Sequence, residues 1–216
     1  MNLTATRRAG SGLFRPGQGG WSLAELLAAM AIAAMVVSLS VPPTFAWARR
    51  QRLQGAIRSL AQDLQASRWR ALASGRATGL VFTLAPGGDL LWTIYGDGDG
   101  DGLRRADMDR GVDYSLGRSR RLSQVAPGVR AGLLTSTSPV EVPRLPPQSG
   151  WIANPLDPIK FGASDMASFS PQGSATSGSL YLTDGHDMAA LVINGITGRL
   201  RLFRFDLTRR DWKEMN

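Results

Sequence analysis

Three carboxylates at alternate positions are the clearest candidate for metal chemistry in this sequence. They lie in the segment Asp97-Gly98-Asp99-Gly100-Asp101-Gly102. Its spacing, with glycine sixth, matches the first half of an EF-hand-type loop, where a tight turn brings oxygens onto Ca²⁺. The twelfth position is Met108, so further ligands would come from Asp107 or Asp109, or from Asp113. The alternative is a solvated acidic turn balanced by neighbouring arginines, and the sequence leaves both open.

The densest basic segment lies near the C-terminus and is the candidate for binding nucleic acid. It contains Arg199, Arg201, Arg204, Arg209 and Arg210, with Phe203, Phe205 and Trp212 among them. Arginines bind phosphates through bidentate contacts, and exposed aromatic rings can stack on single-strand bases. The alternative is a strand whose phenylalanines pack in the core while its arginines are solvated. The net charge of +8 fits nucleic acid, an anionic lipid surface or an arginine-rich soluble surface.

Nothing in the sequence predicts an enzyme. His186 is the only histidine and lies in a polar turn, between Asp184-Gly185 and Asp187. The chain has no cysteine, which excludes disulfides and thiolate metal sites. No nucleophile elbow or phosphate-cradling loop is present, and no carboxylate pair is marked out for catalysis. We therefore expect no small-molecule substrate and no cofactor other than calcium.

Glu25 stands at the start of a long apolar segment. Residues 26–48 carry no charge and, as a helix, would be long enough to cross a bilayer. Pro42 and Pro43 should kink this helix, because each removes a donor and crowds the preceding turn. An unpaired carboxylate in hydrocarbon costs at least about 2.5 kcal/mol, so Glu25 requires a partner. That partner is either a neighbouring subunit or a new amine made by cutting the chain nearby.

A cleavage site for such a cut precedes the apolar segment. Gly19 and Gly20 offer a flexible, unhindered peptide bond before Trp21, and Glu25 is the fifth residue counted from Trp21. This pattern resembles the class III leader of type IV prepilins and pseudopilins. The resemblance implies that a prepilin peptidase cuts after Gly20 and methylates the new amine of Trp21. It also implies that Glu25 pairs with the terminal amine of an adjacent subunit during assembly.

The leader departs from the family pattern in two places. Trp21 stands where the family usually has Phe or Met, and the nearest preceding basic residue is Arg15. The alternative is an ordinary secretory signal, cut after the small-x-small site Ala46-Trp47-Ala48. Glu25 argues against this, because it interrupts the start of the apolar core. Arginines flank the apolar segment on both sides, so charge alone does not orient it.

The second half of the predicted helix is amphipathic. Apolar residues recur at three- and four-residue steps, namely Leu53, Ile57, Leu60, Leu64 and Ala71. Such a stripe packs on a globular domain, and Gly75 supplies a stop. We predict one helix from about Trp21 to Ser74. The expected organisation is a leader at 1–20, a transmembrane and assembly helix at 21–48, its amphipathic continuation at 49–75 and a β-rich domain at 76–216.

Short strands are predicted beyond Gly75. The segments 78–84 and 89–95 flank Ala85-Pro86-Gly87-Gly88, a hairpin signal. Further strands are predicted at 120–125, 129–134, 166–170, 179–183, 189–193 and 199–205. Residues 135–165 are rich in Pro, Ser and Gly and predict a long loop.

The C-terminal third resembles a second recognisable pattern. The segments 178–183, 190–193 and 197–202 follow Phe169-Ser170-Pro171-Gln172-Gly173, and the last contains Gly198-Arg199-Leu200-Arg201. This resembles the C-terminal sheet of the GspH/FimT family of minor pseudopilins and minor pilins. With the leader, the resemblance covers most of the chain except 96–165. Arg199 and Arg201, two residues apart, should point from one strand face.

The resemblance implies an α+β, pilin-like fold with a long helix packed on a C-terminal antiparallel β domain. It implies a single-pass inner-membrane protein with its C-terminal domain in the periplasm. The expected function is assembly, with other pilins or pseudopilins, into a type II secretion pseudopilus or a type IV pilus. The alternatives are a DNA-binding minor pilin for DNA uptake and an exported soluble domain with an ordinary signal peptide.

Overall fold

The computed structural model describes residues 20–134, 140–143, 151–152 and 157–215, without the side chains of residues 39–44, 140 and 151–152. The predicted leader, except Gly20, lies outside the described residues. The chain divides into two compact units, Met1–Thr44 and Phe45–Asn216. A long N-terminal helix and antiparallel sheets confirm the α+β class.

Helix α1 spans Leu23–Ser74, close to the predicted range. Ser22 and Glu25 begin it with reciprocal hydrogen bonds: the Ser22 N–H donates to Glu25 Oε2, and the Glu25 N–H donates to Ser22 Oγ, each at 3.1 Å. This is a capping box, which satisfies two backbone donors of the first turn. The helix ends as predicted at Gly75, whose positive φ of 69° suits glycine.

The α1 residues of the first unit present their large apolar side chains to the outside. They include Leu23, Leu26, Leu27, Met30, Ile32, Met35, Val36 and Val37, and Trp21, just before the helix, is exposed as well. The helix continues through Pro42 and Pro43, whose side chains lie outside those described, so the predicted kink stays a prediction. Within the described residues, no helix has the length and apolar character needed to cross a membrane.

The α1 residues of the second unit confirm the predicted amphipathic stripe. Its members are at most 2% exposed, namely Leu53, Ile57, Leu60, Leu64 and Ala71. They join a core cluster with apolar side chains from both main sheets, such as Leu80 and Leu191. Burying each large aliphatic side chain contributes about 1.5–3 kcal/mol. This stripe therefore fixes which face of the helix the β domain covers.

Two main antiparallel sheets form the β domain. The first contains β1 (Thr78–Ala85), β2 (Asp89–Gly96), β3 (Tyr114–Ser115), β4 (Arg120–Arg121) and β9 (Met166–Phe169). The second contains β5 (Arg130–Ala131), β8 (Ile159–Lys160), β10 (Gly178–Thr183), β11 (Met188–Asn194), β12 (Arg199–Asp206) and β13 (Asp211–Glu214). Separately, β6 (Val140–Glu141) pairs with β7 (Trp151–Ile152). The predicted hairpin is confirmed, since β1 and β2 pair along their full lengths around the turn Pro86–Gly88.

The strand predicted at 120–125 is wrong beyond Arg121, where the short helix α3 (Leu122–Val125) follows. Asp89 explains the change, because its carboxylate accepts the Ser123 N–H at 3.0 Å and the Ser123 hydroxyl at 2.9 Å. A carboxylate at the start of a helix satisfies donors that would otherwise have none. The strand predicted at 129–134 shrinks to Arg130–Ala131. Helix α2 (Arg105–Asp109) and strands β3 and β13 were not predicted, and the loop predicted at 135–165 contains the two-residue strands β6, β7 and β8.

A polar contact fastens α1 to the first sheet. The buried indole of Trp92 donates to Oδ2 of Asp63 at 2.8 Å. Arg120 donates to the same oxygen, and its guanidinium lies 5.3 Å from the centre of the Trp92 ring. A buried indole needs such a partner. The hydrogen bond to Asp63 therefore adds a directional contact between α1 and the first sheet to the apolar packing of the helix.

Candidate functional site

The predicted processing and assembly residues lie together at the start of α1. Gly20 and Trp21 precede the helix, both exposed, and apart from its chain neighbours no atom of the described residues lies within 4 Å of where a Gly20 side chain would begin. A peptide bond in this position is sterically open to a peptidase. Glu25 lies in the first helical turn, also exposed.

The structure gives Glu25 a partner within its own chain. Its carboxylate accepts the Ser22 N–H, so it caps the helix whether or not another subunit is present. This capping box was not predicted, although the pattern Ser-x-x-Glu before an apolar run is a sequence signal for it. Two roles for Glu25 must therefore be separated by experiment: capping, which needs a hydrogen-bond acceptor, and pairing with an amine, which needs a charge.

The acidic loop brings together three of the five predicted calcium ligands. Within the described residues, carboxylate oxygens of Asp97, Asp99 and Asp101 lie within 4.8 Å of one another. Asp107 and Asp109 do not belong to this group. Asp107 is buried and pairs with Arg110, and Asp101 pairs with Arg104. Completion of a calcium loop by Asp107 or Asp109 therefore stays a prediction, and neither carboxylate lies beside the other three.

Two buried carboxylates hold the backbone of this loop in place. The Gly100 and Gly102 N–H groups donate to the two oxygens of Asp97, at 2.7 and 3.0 Å. The Gly98 and Arg104 N–H groups donate to the two oxygens of Asp113, at 3.2 and 2.9 Å. These bonds close the loop, and they give Asp97 and Asp113 a structural role.

The pKa values of the loop carboxyls follow from these surroundings. Burial acts to raise the pKa of Asp97, but the N–H donors of Gly100 and Gly102 outweigh it and lower the pKa below its ordinary value. The pKa of Asp101 is raised, first by desolvation and then by the neighbouring carboxyl of Asp99. Asp97 is thus stabilised as an anion, while Asp99 and Asp101 crowd each other and would gain from a nearby cation.

Calcium binding is tested by thermal unfolding of residues 45–216. If the loop binds Ca²⁺, a concentration about 100-fold above Kd stabilises the native state by about 2.7 kcal/mol, which raises Tm by roughly 5–10 °C. Asp99→Asn/Asp101→Asn should abolish the shift while leaving the buried Asp97 to close the loop. No shift at millimolar Ca²⁺, or an equal shift in the double variant, leaves only the acidic-turn interpretation.

Strand β12 carries arginines and phenylalanines of the predicted nucleic-acid site, but it buries the phenylalanines. Arg199 and Arg201 share a face, as predicted, with Phe203 and Phe205. However, Phe203 and Phe205 are only 6% and 4% exposed, and both belong to an apolar cluster against which Trp212 also packs. These phenylalanines are not available to stack on bases, which corrects that part of the prediction.

The charges of the basic segment are partly neutralised. Arg201 makes a two-pronged ion pair with Glu214, and this bond raises the pKa of Arg201 and lowers that of Glu214. Lys213 pairs with Asp206 at 2.6 Å and lowers the pKa of that carboxyl to about 2. Arg199 and Arg209 are exposed, and Arg204 is half-buried. Arg210 is exposed at the turn before β13, with a positive φ of 51°. DNA binding stays a prediction, without support from the aromatic side chains.

The histidine lies in the tight turn between β10 and β11. Asp184 Oδ1 accepts the N–H groups of His186 and Asp187, at 2.8 and 2.7 Å. Asp187 also pairs with Arg50 of α1 at 3.1 Å. The predicted polar turn is confirmed. Through the ion pair with Arg50, it contacts α1.

Comparisons with known protein families, with characterised proteins and with solved structures give no match. The features of this chain that indicate its function most strongly are the Gly20–Glu25 segment and the exposed apolar side chains that follow it.

Proposed function

We propose that this chain is an assembly subunit of the minor pilin or minor pseudopilin type, processed by a prepilin peptidase between Gly20 and Trp21. It resembles the GspH/FimT proteins, and its place would be a type II secretion pseudopilus or a type IV pilus. Before assembly the apolar segment at 21–48 holds the protein in the inner membrane, with the β domain in the periplasm. Its partners are the peptidase and other pilins or pseudopilins.

One observation carries the proposal: Trp21 and the described side chains of α1 in the first unit form a continuous series of exposed large apolar groups. Trp21, Met30 and Ile32 are each about two-thirds exposed or more. Soluble monomers rarely leave so large an apolar surface uncovered, and such surfaces mark sites of association with protein or membrane. Glu25, the one charge in this part of the helix, then determines how a neighbouring chain aligns.

The second unit supports the same proposal by contrast. Its part of α1 buries a full apolar stripe against the β domain and adds polar contacts through Asp63 and Arg50. Within this unit the β domain therefore covers the apolar stripe of the helix, as expected of a folded domain that follows a membrane and assembly segment in the chain.

The processing step is tested by producing the chain together with a prepilin peptidase. Gly20→Ala should slow cleavage by on the order of 100-fold, because a side chain at the scissile bond displaces the peptide from its reactive position. Loss of the leader is followed by gel mobility over time. Gly19→Ala is the matched control and should be cleaved at nearly the normal rate. Equal processing of the Gly20→Ala variant would contradict the proposal.

A further inference from the structure

A groove of about 560 Å³ runs between helix α1 and strand β12 on the surface of the second unit. We call it the helix–strand groove. It is lined by Arg58, Ala61, Gln62, Gln65, Ala66, Trp69, Leu200 and Leu202. The helix residues recur at three- and four-residue steps and so form one face of α1. Trp69 is 68% exposed, although its neighbours Leu200 and Leu202 pack against the main core. An apolar surface continuous with the core is thus left open.

The strand that lines this groove has an unpaired edge. β13 pairs with β12 only from Phe203 to Asp206. Within the described part of the chain, residues 199–201 have β11 on one side and no strand on the other. The Met215 N–H donates to the Leu202 carbonyl at 2.8 Å, so the backbone groups of Leu202 face away from β11. Because this direction alternates along a strand, those of Leu200 face the same way.

The chain itself shows which side chains this edge accepts. Glu214, at the end of β13, pairs with Arg201 on one face of the sheet. Met215, the next residue, bonds to Leu202 through its backbone and packs its side chain against the main core on the other face. The edge therefore takes an acidic residue beside its arginines and an apolar residue beside its leucines. Arg199 and Leu200 lie two residues before Arg201 and Leu202 on β12. They offer a second arginine on the one face and a second leucine on the other.

We propose that the edge at residues 199–201 and the helix–strand groove bind an extended segment of another protein in which apolar and acidic residues alternate. The segment adds a strand to the edge of β12. Its apolar side chains enter the groove beside Trp69, and its acidic side chains face Arg199. Pairing with the same edge of a second copy is unfavourable, since it would place arginines opposite arginines. A helix in the groove would leave the Leu200 backbone groups unpaired. The proposal is independent of the processing and assembly proposed above.

The probe for this surface is a fluorescein-labelled peptide of sequence Val-Glu-Val-Glu-Val-Glu, titrated into the full chain in detergent and followed by fluorescence anisotropy. We expect saturable binding that weakens about tenfold or more in Arg199→Glu and in Trp69→Ala. Tyr114→Ala is the matched control, because Tyr114 is an aromatic residue on β3, 52% exposed and outside the groove. It should bind the peptide normally.

Backbone methylation of the peptide tests the strand geometry directly. By analogy with Met215, the valine N–H groups face β12, so N-methylation of the valines should weaken binding about tenfold or more. N-methylation of the glutamates should change the affinity less than about threefold. The proposal is overturned if the peptide shows no saturable binding at millimolar concentration. It is also overturned if both methylated peptides bind alike, or if Val-Val-Val-Glu-Glu-Glu binds as well as the alternating sequence.

Discussion

Replacing Glu25 by glutamine will reduce incorporation of the processed chain into filaments or pseudopili by about tenfold or more, while cleavage continues. Glutamine can still accept the Ser22 N–H, because either Glu or Gln completes a capping box. What it loses is the charge that pairs with an amine in surroundings of low dielectric, where breaking such a pair costs about 3–5 kcal/mol. Incorporation is measured by co-purification with the assembled complex.

Ser22→Ala is the matched control for this prediction. It removes the hydroxyl that accepts the Glu25 N–H and costs about 1 kcal/mol of helix stability, but it leaves the carboxylate in place. If pairing with an amine is the role of Glu25, this variant should assemble almost normally. Normal assembly of Glu25→Gln together with a defect in Ser22→Ala would show that Glu25 acts only as a helix cap.

Gly178→Ala will destabilise the β domain by about 3 kcal/mol or more. A methyl group at this position would lie 2.0 Å from the Phe161 ring and 2.5 Å from the Lys160 carbonyl. The second contact is with the backbone of β8, which pairs with β10, so relief requires the strands to separate. Overpacking a dense core typically costs about 1–3 kcal/mol, and a rigid backbone neighbour raises this. Urea unfolding of residues 45–216 measures the change.

Gly55→Ala is the matched control, since no described atom outside its own stretch of helix lies within 4 Å of where its side chain would begin. In the middle of α1 it should stabilise the domain by about 0.5–1 kcal/mol, because alanine loses less conformational entropy than glycine. Similar effects of the two substitutions would mean that β8 and β10 do not pack as described.

The sequence predicts the elements that are defined by periodicity. The buried stripe of α1 and the helix stop at Gly75 follow from spacing alone, as does the hairpin of β1 and β2. Each depends on local rules, namely the 3.6-residue period, the freedom of glycine and the turn between two apolar runs. For these elements tertiary contacts reinforce the local preference.

The elements that were not predicted depend on contacts between residues that are distant in sequence. The helix at Leu122–Val125 forms because Asp89 reaches its first turn, which no pattern within 120–125 reveals. β13 carries charges at most of its positions and is held by Glu214 and Trp212, whose partners lie on β12 and in the apolar cluster behind it. Composition cannot reveal such pairing.

The candidate sites were predicted unevenly for the same reason. The spacing of Asp97, Asp99 and Asp101 correctly places their carboxylates together. The spacing could not show that the Asp97 carboxylate accepts backbone N–H groups, or that the buried Asp107 pairs with Arg110. Likewise, the interleaved arginines and aromatics of β12 are visible in the sequence. Their separation, with phenylalanines buried and arginines outside, requires the sheet.

The mass and N-terminal sequence of the mature chain isolated from membranes test the central claim most directly. The proposed assembly subunit should begin at Trp21, carry one methyl group on its terminal amine and retain Glu25 as its fifth residue. A mature chain that begins at Arg49 would contradict this, because an ordinary signal peptidase would then have removed the entire segment through which we propose that the protein assembles.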